Sequence, residues 1–208
     1  MCDSAVFLYV AENHPQLSTD QKLQRILQVH MQDPDMPVSV ARDARGKPSL
    51  PQFPQIHISV THSGKWFVCA VSPAPVGIDL QEHTLLHRET MEQARQRYCR
   101  IAQRFFHPDE AAYVALDPGA RFFRIWTAKE SYVKYTGHGV DAMFDRFCVL
   151  PSGDHPLPPL TAALSWQAEQ VYFRQVFFDD GYTFCMCAAQ DLPWRWIPLS
   201  ADMEPLQE

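Results

Sequence analysis

An acidic and a basic side chain lie four residues apart in the middle of the chain. The segment WTAKESYVK places Glu130 and Lys134 at this spacing within a predicted helix. Residues four apart share one helix face, about 6 Å apart along the axis. Such a pair could hold a metal-bound phosphate. It could equally be a surface ion pair that contributes at most about half a kcal/mol. The segment alone leaves both interpretations open.

A second polar group follows an apolar strand in the segment GIDLQE. Asp79 lies near the end of this strand, where the backbone fixes a carboxylate beside an open loop. This is a common position for a metal ligand, and also for a carboxylate that caps a turn. Successive strand residues point to opposite faces, so Gln81 shares a face with Asp79 and Glu82 does not.

Basic and hydroxyl-bearing residues cluster in two turns before Asp79. A glycine-ended turn exposes backbone N–H groups, which together with a lysine and a histidine could hold a phosphate. The alternative is a hairpin tip whose hydroxyls cap their own backbone. The two turns are Arg45, Gly46, Lys47 and Pro48, and then Thr61, His62, Ser63 and Gly64 between two apolar strands.

Taken in this order, the segments resemble the surfactin-synthetase-activating type of 4'-phosphopantetheinyl transferase. That family has a GKP segment, an (S/T)HS elbow, GIDxE before a long helix, an RFF…E segment and WxxKExxxK. The resemblance is close over residues 45–140 and looser through residue 189. The counterparts are GKP at 46–48, THSG at 61–64, GIDLQ at 77–81, RFFHPDE at 104–110 and WTAKESYVK at 126–134.

The resemblance implies Mg²⁺-dependent transfer of the phosphopantetheine arm of coenzyme A to a serine of an acyl or peptidyl carrier protein, with release of adenosine 3',5'-bisphosphate. Asp79 and Glu130 offer the hard oxygen ligands that Mg²⁺ prefers. By resemblance, the catalytic residues are Glu130, Lys134 and His62. The coenzyme contacts are Lys47, Pro48, Thr61, His62, Asp79 and Lys134. The metal ligands are Asp79 and Glu130, and Gln81 stands at the position of a third, where its contact with the metal is left open.

Two departures from the family pattern leave alternatives open. Gln81 stands where the family has an acid, and the short N-terminus offers only Lys22 and Arg25 as basic residues, neither of which is assigned. A relative that binds coenzyme A or a carrier protein without catalysis is one alternative. An unrelated Mg²⁺-dependent phosphoryl-transfer enzyme is another.

Charge, cysteine spacing and the length of the apolar runs argue against several classes of protein. The 208 residues include 18 Lys and Arg against 24 Asp and Glu, a net charge of −6 that disfavours a general nucleic-acid binder. The six cysteines form no CxxC pair, and Cys185 and Cys187 alternate on one predicted strand face. The apolar run 5–11 is too short to span a membrane. We expect a cytoplasmic monomer without a membrane anchor.

Hydrophobic periodicity predicts an α+β fold. The resemblance adds two similar α/β halves with a pseudo-twofold relation, approximately 1–104 and 105–208 of a single unit, with the site between them. Predicted strands cover 5–11, 56–60, 65–71, 76–80, 144–150, 171–178 and 182–188; predicted helices follow Ser18 and cover 84–105, 109–116 and 121–135, the last stopped by Gly137 and Gly139.

The predicted helix 84–105 is rich in arginine. A basic face beside the site could attract an acidic carrier protein over a long range. Alternatively, the arginines form a solvated face that Glu89 and Glu92 balance. The residues are Arg88, Arg95, Arg97, Arg100 and Arg104.

Overall fold

The computed structural model describes residues 5–138, 144–151, 157 and 164–206. Helices and sheets are both present, which confirms the α+β class; Cys2 and Gly139 lie outside the described residues. In chain order the elements are β1 (Val6–Glu12), α1 (Thr19–Met31), β2 (Ala41–Arg42), β3 (Pro48–Ser49), β4 (His57–Ser63), β5 (Trp66–Ser72), β6 (Val76–Glu82), α2 (Met91–Phe105), α3 (Pro108–Leu116), α4 (Pro118–Thr136), a 3-10 turn (Phe144–Arg146), β7 (Leu164–Ala168), β8 (Val171–Phe177), β9 (Tyr182–Ala188) and β10 (Trp194–Pro198).

Two four-stranded sheets form the centre of the molecule. The first has the order β10-β1-β5-β4 and the second the order β6-β9-β8-β7. Strand β1 runs parallel to β10, and the other pairings in both sheets are antiparallel. Each sheet takes a strand from the other side of residue 104: β10 joins the first and β6 the second. The division into two halves at this residue therefore stays a prediction.

Three apolar clusters stack the elements into four layers. One cluster lies between α1 and the first sheet and includes Leu23 and Phe67. The second lies between the sheets, around Val68 and Phe184. The third lies between the second sheet and helices α2–α4, and it buries the thiols of Cys185 and Cys187, as their alternation predicted. None of the helices in the described ranges is long and apolar enough to cross a membrane.

Among the predicted helices and strands, two differ most from the structure. Helix α2 begins at Met91 rather than at residue 84, because the Thr90 side chain caps it and Arg88 has a positive φ of 62°. The predicted strand 144–150 is wrong. Its place is taken by the 3-10 turn and an irregular segment, whose backbone at Phe147 and Val149 binds buried side chains instead of another strand.

Candidate active site

Helix α4 crosses strand β6 at a very short distance, and Gly77 permits it. A Cβ atom at this position would lie 2.0 Å from the Ser131 carbonyl oxygen and 2.3 Å from the Tyr135 backbone nitrogen. Since both contacts are with backbone atoms, neither could move aside easily. The glycine of the GID segment thus lets the polar side of α4 approach Asp79.

Asp79 lies at this crossing and is 6% exposed. Its Oδ1 accepts hydrogen bonds from Lys134 Nζ at 2.7 Å and from Thr61 Oγ1 at 3.2 Å. Burial raises the pKa of the Asp79 carboxyl, and the Lys134 ammonium opposes that shift. Among the ion pairs of the described residues, Lys134 pairs with Asp79 and not with Glu130. The surface Glu–Lys pair considered from the sequence is therefore wrong.

Glu130 lies one turn before Lys134 on the same helix. Burial, followed by the negative charge of Asp79, raises the pKa of Glu130 to about 7, and Lys134 acts in the opposite direction. Near neutral pH this carboxyl exchanges its proton readily. A carboxyl with such a pKa suits proton transfer at neutral pH, and as a carboxylate it is also a hard oxygen ligand.

The residues around Asp79 fit a divalent cation. Asp79 Oδ2 is buried and has no hydrogen-bond partner among the described residues, an arrangement that is costly unless a ligand satisfies the oxygen. The nearby Glu130 carboxylate would offer a second oxygen ligand. Gln81 follows two residues after Asp79 on β6, so strand alternation places it on the same face. Its amide nitrogen donates to the Glu82 carbonyl at 3.4 Å.

A cleft of about 250 Å³ separates α4 from β4 and from the β2–β3 hairpin. The hairpin is tied to the C-terminal end of α4, because Lys47 Nζ donates to the Tyr135 carbonyl at 2.7 Å and Arg45 to the Gly137 carbonyl at 3.3 Å. Burial lowers the pKa of Lys47. The residues that line the cleft are Arg45, Gly46, Lys47, Pro48, Ile58, Ser59, Val60, Glu130, Val133, Lys134 and Gly137.

The hairpin does not offer its backbone to a phosphate in the way the sequence suggested. The Asp43 carboxylate accepts from the backbone N–H groups of Arg45 and Lys47, each at 2.9 Å, and the Gly46 N–H donates to the Asp43 carbonyl at 3.0 Å. Gly46 supplies the left-handed conformation, with φ of 84°, that this tight turn requires. The side chains of Arg45 and Lys47, rather than backbone amides, are therefore the groups available for an anion.

The predicted polar elbow is part of a strand. Strand β4 continues to Ser63, and the turn itself is formed by Gly64 and Lys65. Thr61 is 4% exposed, and its hydroxyl donates to Asp79. Its contact with coenzyme A stays a prediction. His62 is exposed and, by strand alternation, points away from Thr61. It is not among the described residues that line the cleft, and its role stays a prediction.

Some of the arginines that were predicted to form a basic helix face have another partner or lie outside α2. Arg97 pairs with Glu89 at 2.9 Å, as the solvated alternative required, and Arg88 lies before the helix begins. Arg95 and Arg100 line a shallow surface groove together with Glu92 and Cys99. Fewer arginines are therefore available for a basic face beside the site than the sequence suggested.

Sequence reasoning missed a buried ion pair that supports α4. Lys129 Nζ contacts Glu110 Oε2 at 2.7 Å, and neither side chain has exposed surface. Both residues lie within segments of the family pattern, RFF…E and WxxKExxxK, but neither segment by itself indicates that they pair. Consecutive residues of a helix point about 100° apart, so Lys129 enters the core while Glu130 faces the cleft. In the sequence, the only indication of this pair is the presence of a lysine, Lys129, within the amphipathic helix predicted over 121–135.

A family model describes the same part of the molecule. The model of the 4'-phosphopantetheinyl transferase superfamily matches residues 75–187, which is more than half of the 208 residues. The chain belongs to this superfamily. The matched range includes Asp79, Glu110, Glu130 and Lys134, so the superfamily match contains both the candidate acids and the buried ion pair. Lys47 and Thr61 lie outside that range.

Individual relatives of this superfamily member come from Bacillus. A 4'-phosphopantetheinyl transferase of Bacillus subtilis is 32% identical over 148 residues, which is 69% of this chain and 60% of the relative. The 4'-phosphopantetheinyl transferase Sfp of Bacillus subtilis is 27% identical over 192 residues, 90% of this chain and 80% of that protein. The protein psf-1 of Bacillus pumilus, also named a 4'-phosphopantetheinyl transferase, is 35% identical over 54% of this chain and 45% of its own length. The chain thus spans less than two thirds of the first of these relatives.

Proposed function

We propose that this protein transfers the phosphopantetheine arm of coenzyme A to a serine of an acyl or peptidyl carrier protein. The observation that carries the proposal is the group formed by Asp79, Glu130 and Lys134: Glu130 and Lys134 line one cleft, and Lys134 Nζ binds the Asp79 carboxylate. Superfamily membership and the names of the relatives support the same reaction.

The proposed reaction is a substitution at phosphorus. The serine hydroxyl oxygen forms a bond to the phosphorus that carries the pantetheine arm, and the bond from that phosphorus to the bridging pyrophosphate oxygen breaks. Adenosine 3',5'-bisphosphate leaves with the electron pair of that bond. Glu130 takes the serine proton, directly or through water, since its pKa of about 7 suits a base at neutral pH.

Charge must be neutralised as the leaving group departs. A bound Mg²⁺ would supply Lewis-acid stabilisation of the pyrophosphate oxygens, held by Asp79 and Glu130. Lys134 holds Asp79 in place and adds a positive charge at the cleft. Lys47 and Arg45 place two further cations on the opposite wall, where they can bind anionic parts of coenzyme A.

Mass spectrometry of carrier proteins tests the proposal directly. Apo-acyl and apo-peptidyl carriers, incubated with coenzyme A, Mg²⁺ and this protein, should gain the mass of one phosphopantetheine arm. A carrier with its acceptor serine changed to alanine is the matched control and should gain nothing. Binding of coenzyme A without any mass gain would favour the non-catalytic relative. Transfer of a phosphoryl group alone would favour an unrelated phosphoryl-transfer enzyme.

Gln81→Glu tests how far the metal site extends along β6. We expect a lower Mg²⁺ concentration for half-maximal rate, because a carboxylate on the Asp79 face adds a charge–charge attraction. The effect should be modest, about 1–3 kcal/mol at most, because the Gln81 side chain is only half-buried and a carboxylate there would stay partly hydrated. At saturating Mg²⁺ the rate should gain little or fall, because the added charge also opposes the phosphates.

Glu82→Gln is the matched control for this prediction. Glu82 follows Gln81 but interacts with Tyr182 on the other side of the strand. Its Mg²⁺ titration should therefore match that of the unmodified protein. If Gln81→Glu also leaves the titration unmoved, the metal is held by Asp79 and Glu130 without Gln81.

A further inference from the structure

The two sheets are joined along β4 and β6 through side chains rather than through a backbone ladder. Three hydroxyls of β4, at alternate positions, accept hydrogen bonds from three backbone N–H groups of β6. Ser59 accepts from Ile78 at 3.1 Å, Thr61 from Leu80 at 3.1 Å and Ser63 from Glu82 at 2.9 Å. We call these three residues the hydroxyl seam. Together they satisfy three backbone N–H groups on the edge of β6 that does not pair with β9.

Thr61 differs from the other two members of the seam. Besides accepting from the Leu80 N–H, its Oγ1 donates to Asp79 Oδ1 at 3.2 Å. The hydroxyl therefore links the backbone of β6 to the carboxylate that the same strand carries. Among the described contacts, neither Ser59 nor Ser63 has a second hydrogen bond of this kind.

The orientation of the Asp79 carboxylate follows from these contacts. Thr61 and Lys134 both bind Oδ1, so they fix that oxygen from two sides, while no other group in the part of the chain that the structure describes binds Oδ2. Lys134 is held by a flexible chain of four methylenes, whereas Thr61 is β-branched and belongs to a strand. Thr61 is thus the more rigid of the two supports.

We propose that Thr61 is a positioning residue for Asp79, which holds the carboxylate so that Oδ2 remains free to bind a divalent cation. The proposal is separate from the expected contact between Thr61 and coenzyme A. It rests on the proposed function only in so far as Asp79 is taken as a ligand of Mg²⁺. Changes to the neighbours that orient a metal ligand commonly reduce metal affinity or activity about 10- to 100-fold.

Thr61→Val tests the proposal, because valine has nearly the shape of threonine but no hydroxyl. Mg²⁺ is titrated into the protein by calorimetry, with and without coenzyme A. We expect Thr61→Val to weaken Mg²⁺ binding about 10- to 100-fold. Thr61→Ser keeps the hydroxyl and should stay within about threefold of the unmodified protein, on the same reasoning.

Ser63→Ala is the matched control. It removes one hydroxyl of the seam and leaves one N–H of β6 without its acceptor, as Thr61→Val does, but it touches no carboxylate. Both variants should lower the midpoint of thermal unfolding of the metal-free protein, Thr61→Val by more because the N–H that it leaves unpaired is buried. Only Thr61→Val should lose Mg²⁺ affinity.

Three results would overturn the proposal. The first is that the unmodified protein binds no Mg²⁺ with or without coenzyme A. The second is that a folded Thr61→Val variant binds Mg²⁺ as well as the unmodified protein, and the third is that Ser63→Ala loses as much Mg²⁺ affinity as Thr61→Val. If the expected Mg²⁺ pattern is found and no carrier is modified, the positioning role stands and the proposed transferase reaction fails.

Discussion

Glu130→Gln is expected to abolish transfer to the carrier protein while the protein stays folded. Glutamine has the shape of glutamate but can neither accept the serine proton nor add a negative charge to the metal site. Loss of a general base alone typically costs about 10²–10⁴-fold in rate, and weaker metal binding would add to that. Mass spectrometry of the carrier over a time course measures the loss, and circular dichroism reports on the fold. Turnover within tenfold of the unmodified protein would remove Glu130 from the mechanism.

The same variant should change how stability depends on pH in the metal-free protein. The ordinary pKa of the Glu130 carboxyl is 4.5, and in the folded protein it is raised to about 7. The folded state therefore binds more protons than the unfolded state between these values, and the free energy of unfolding falls as pH rises through this window. Glu130→Gln has no such proton, so it should be more stable than the unmodified protein at pH 8, by about 1–3 kcal/mol, and nearly equal at pH 4.

Metal binding should show the reverse dependence on pH. A carboxyl must lose its proton before it can act as a ligand, so Mg²⁺ affinity should rise as pH increases through about 7, where Glu130 deprotonates. The calorimetric titration at pH 6 and pH 8 measures this rise. Glu130→Gln serves as its control and should show a flatter profile.

The sequence could predict those parts of the site that depend on residues close together along the chain. Glu130 and Lys134 share a helix face because they are four residues apart, and strand alternation separates Gln81 from Glu82. The partner of Lys134 could not be predicted in this way, since Asp79 is 55 residues away and reaches it only where α4 crosses β6. The close approach at Gly77 that creates this contact is a property of two packed elements, not of either segment.

Incorrect predictions arose where one local sequence pattern is compatible with two different structures. The run Thr61-His62-Ser63-Gly64 has the composition of a turn, but its hydroxyls bind the backbone of another strand. Alternating hydroxyls at Ser59, Thr61 and Ser63 are equally typical of a polar strand edge. Strand β10 was not predicted at all, because it is short, ends in proline and pairs in parallel with β1 from the opposite end of the chain.

The strand prediction for residues 144–150 is wrong for a different reason. Its aromatic and aliphatic residues favour a strand, yet the Phe147 carbonyl accepts from Lys129 Nζ at 2.7 Å and the Val149 N–H donates to Glu110 Oε1 at 2.7 Å. The backbone is therefore hydrogen-bonded to a buried ion pair. Satisfying those charges outweighs strand propensity, because an unpaired charge in the core costs several kcal/mol.

Lys129→Met is expected to produce the largest loss of stability. Methionine fills much of the volume of the lysine chain, so the main effect is to leave the Glu110 carboxylate buried without its cation. Breaking a buried ion pair by removal of one partner typically costs about 3–5 kcal/mol. Urea denaturation at pH 7 measures the free energy of unfolding. Lys65→Met, at the exposed pair with Asp179, is the matched control and should change it little.

The pH dependence of this loss separates an electrostatic cause from lost contacts. Burial raises the pKa of Glu110, and without Lys129 the carboxyl would take up a proton more readily still. The folded variant would then hold a proton that the unfolded chain releases, so its deficit in stability should grow as pH rises from 5 to 8. A second variant, Lys129→Met with Glu110→Gln, removes both charges and should recover part of the loss, because no buried charge remains. A deficit that is constant with pH and additive in the double variant would instead mean that Lys129 acts through shape alone, as a filler between α4 and the Phe147 ring.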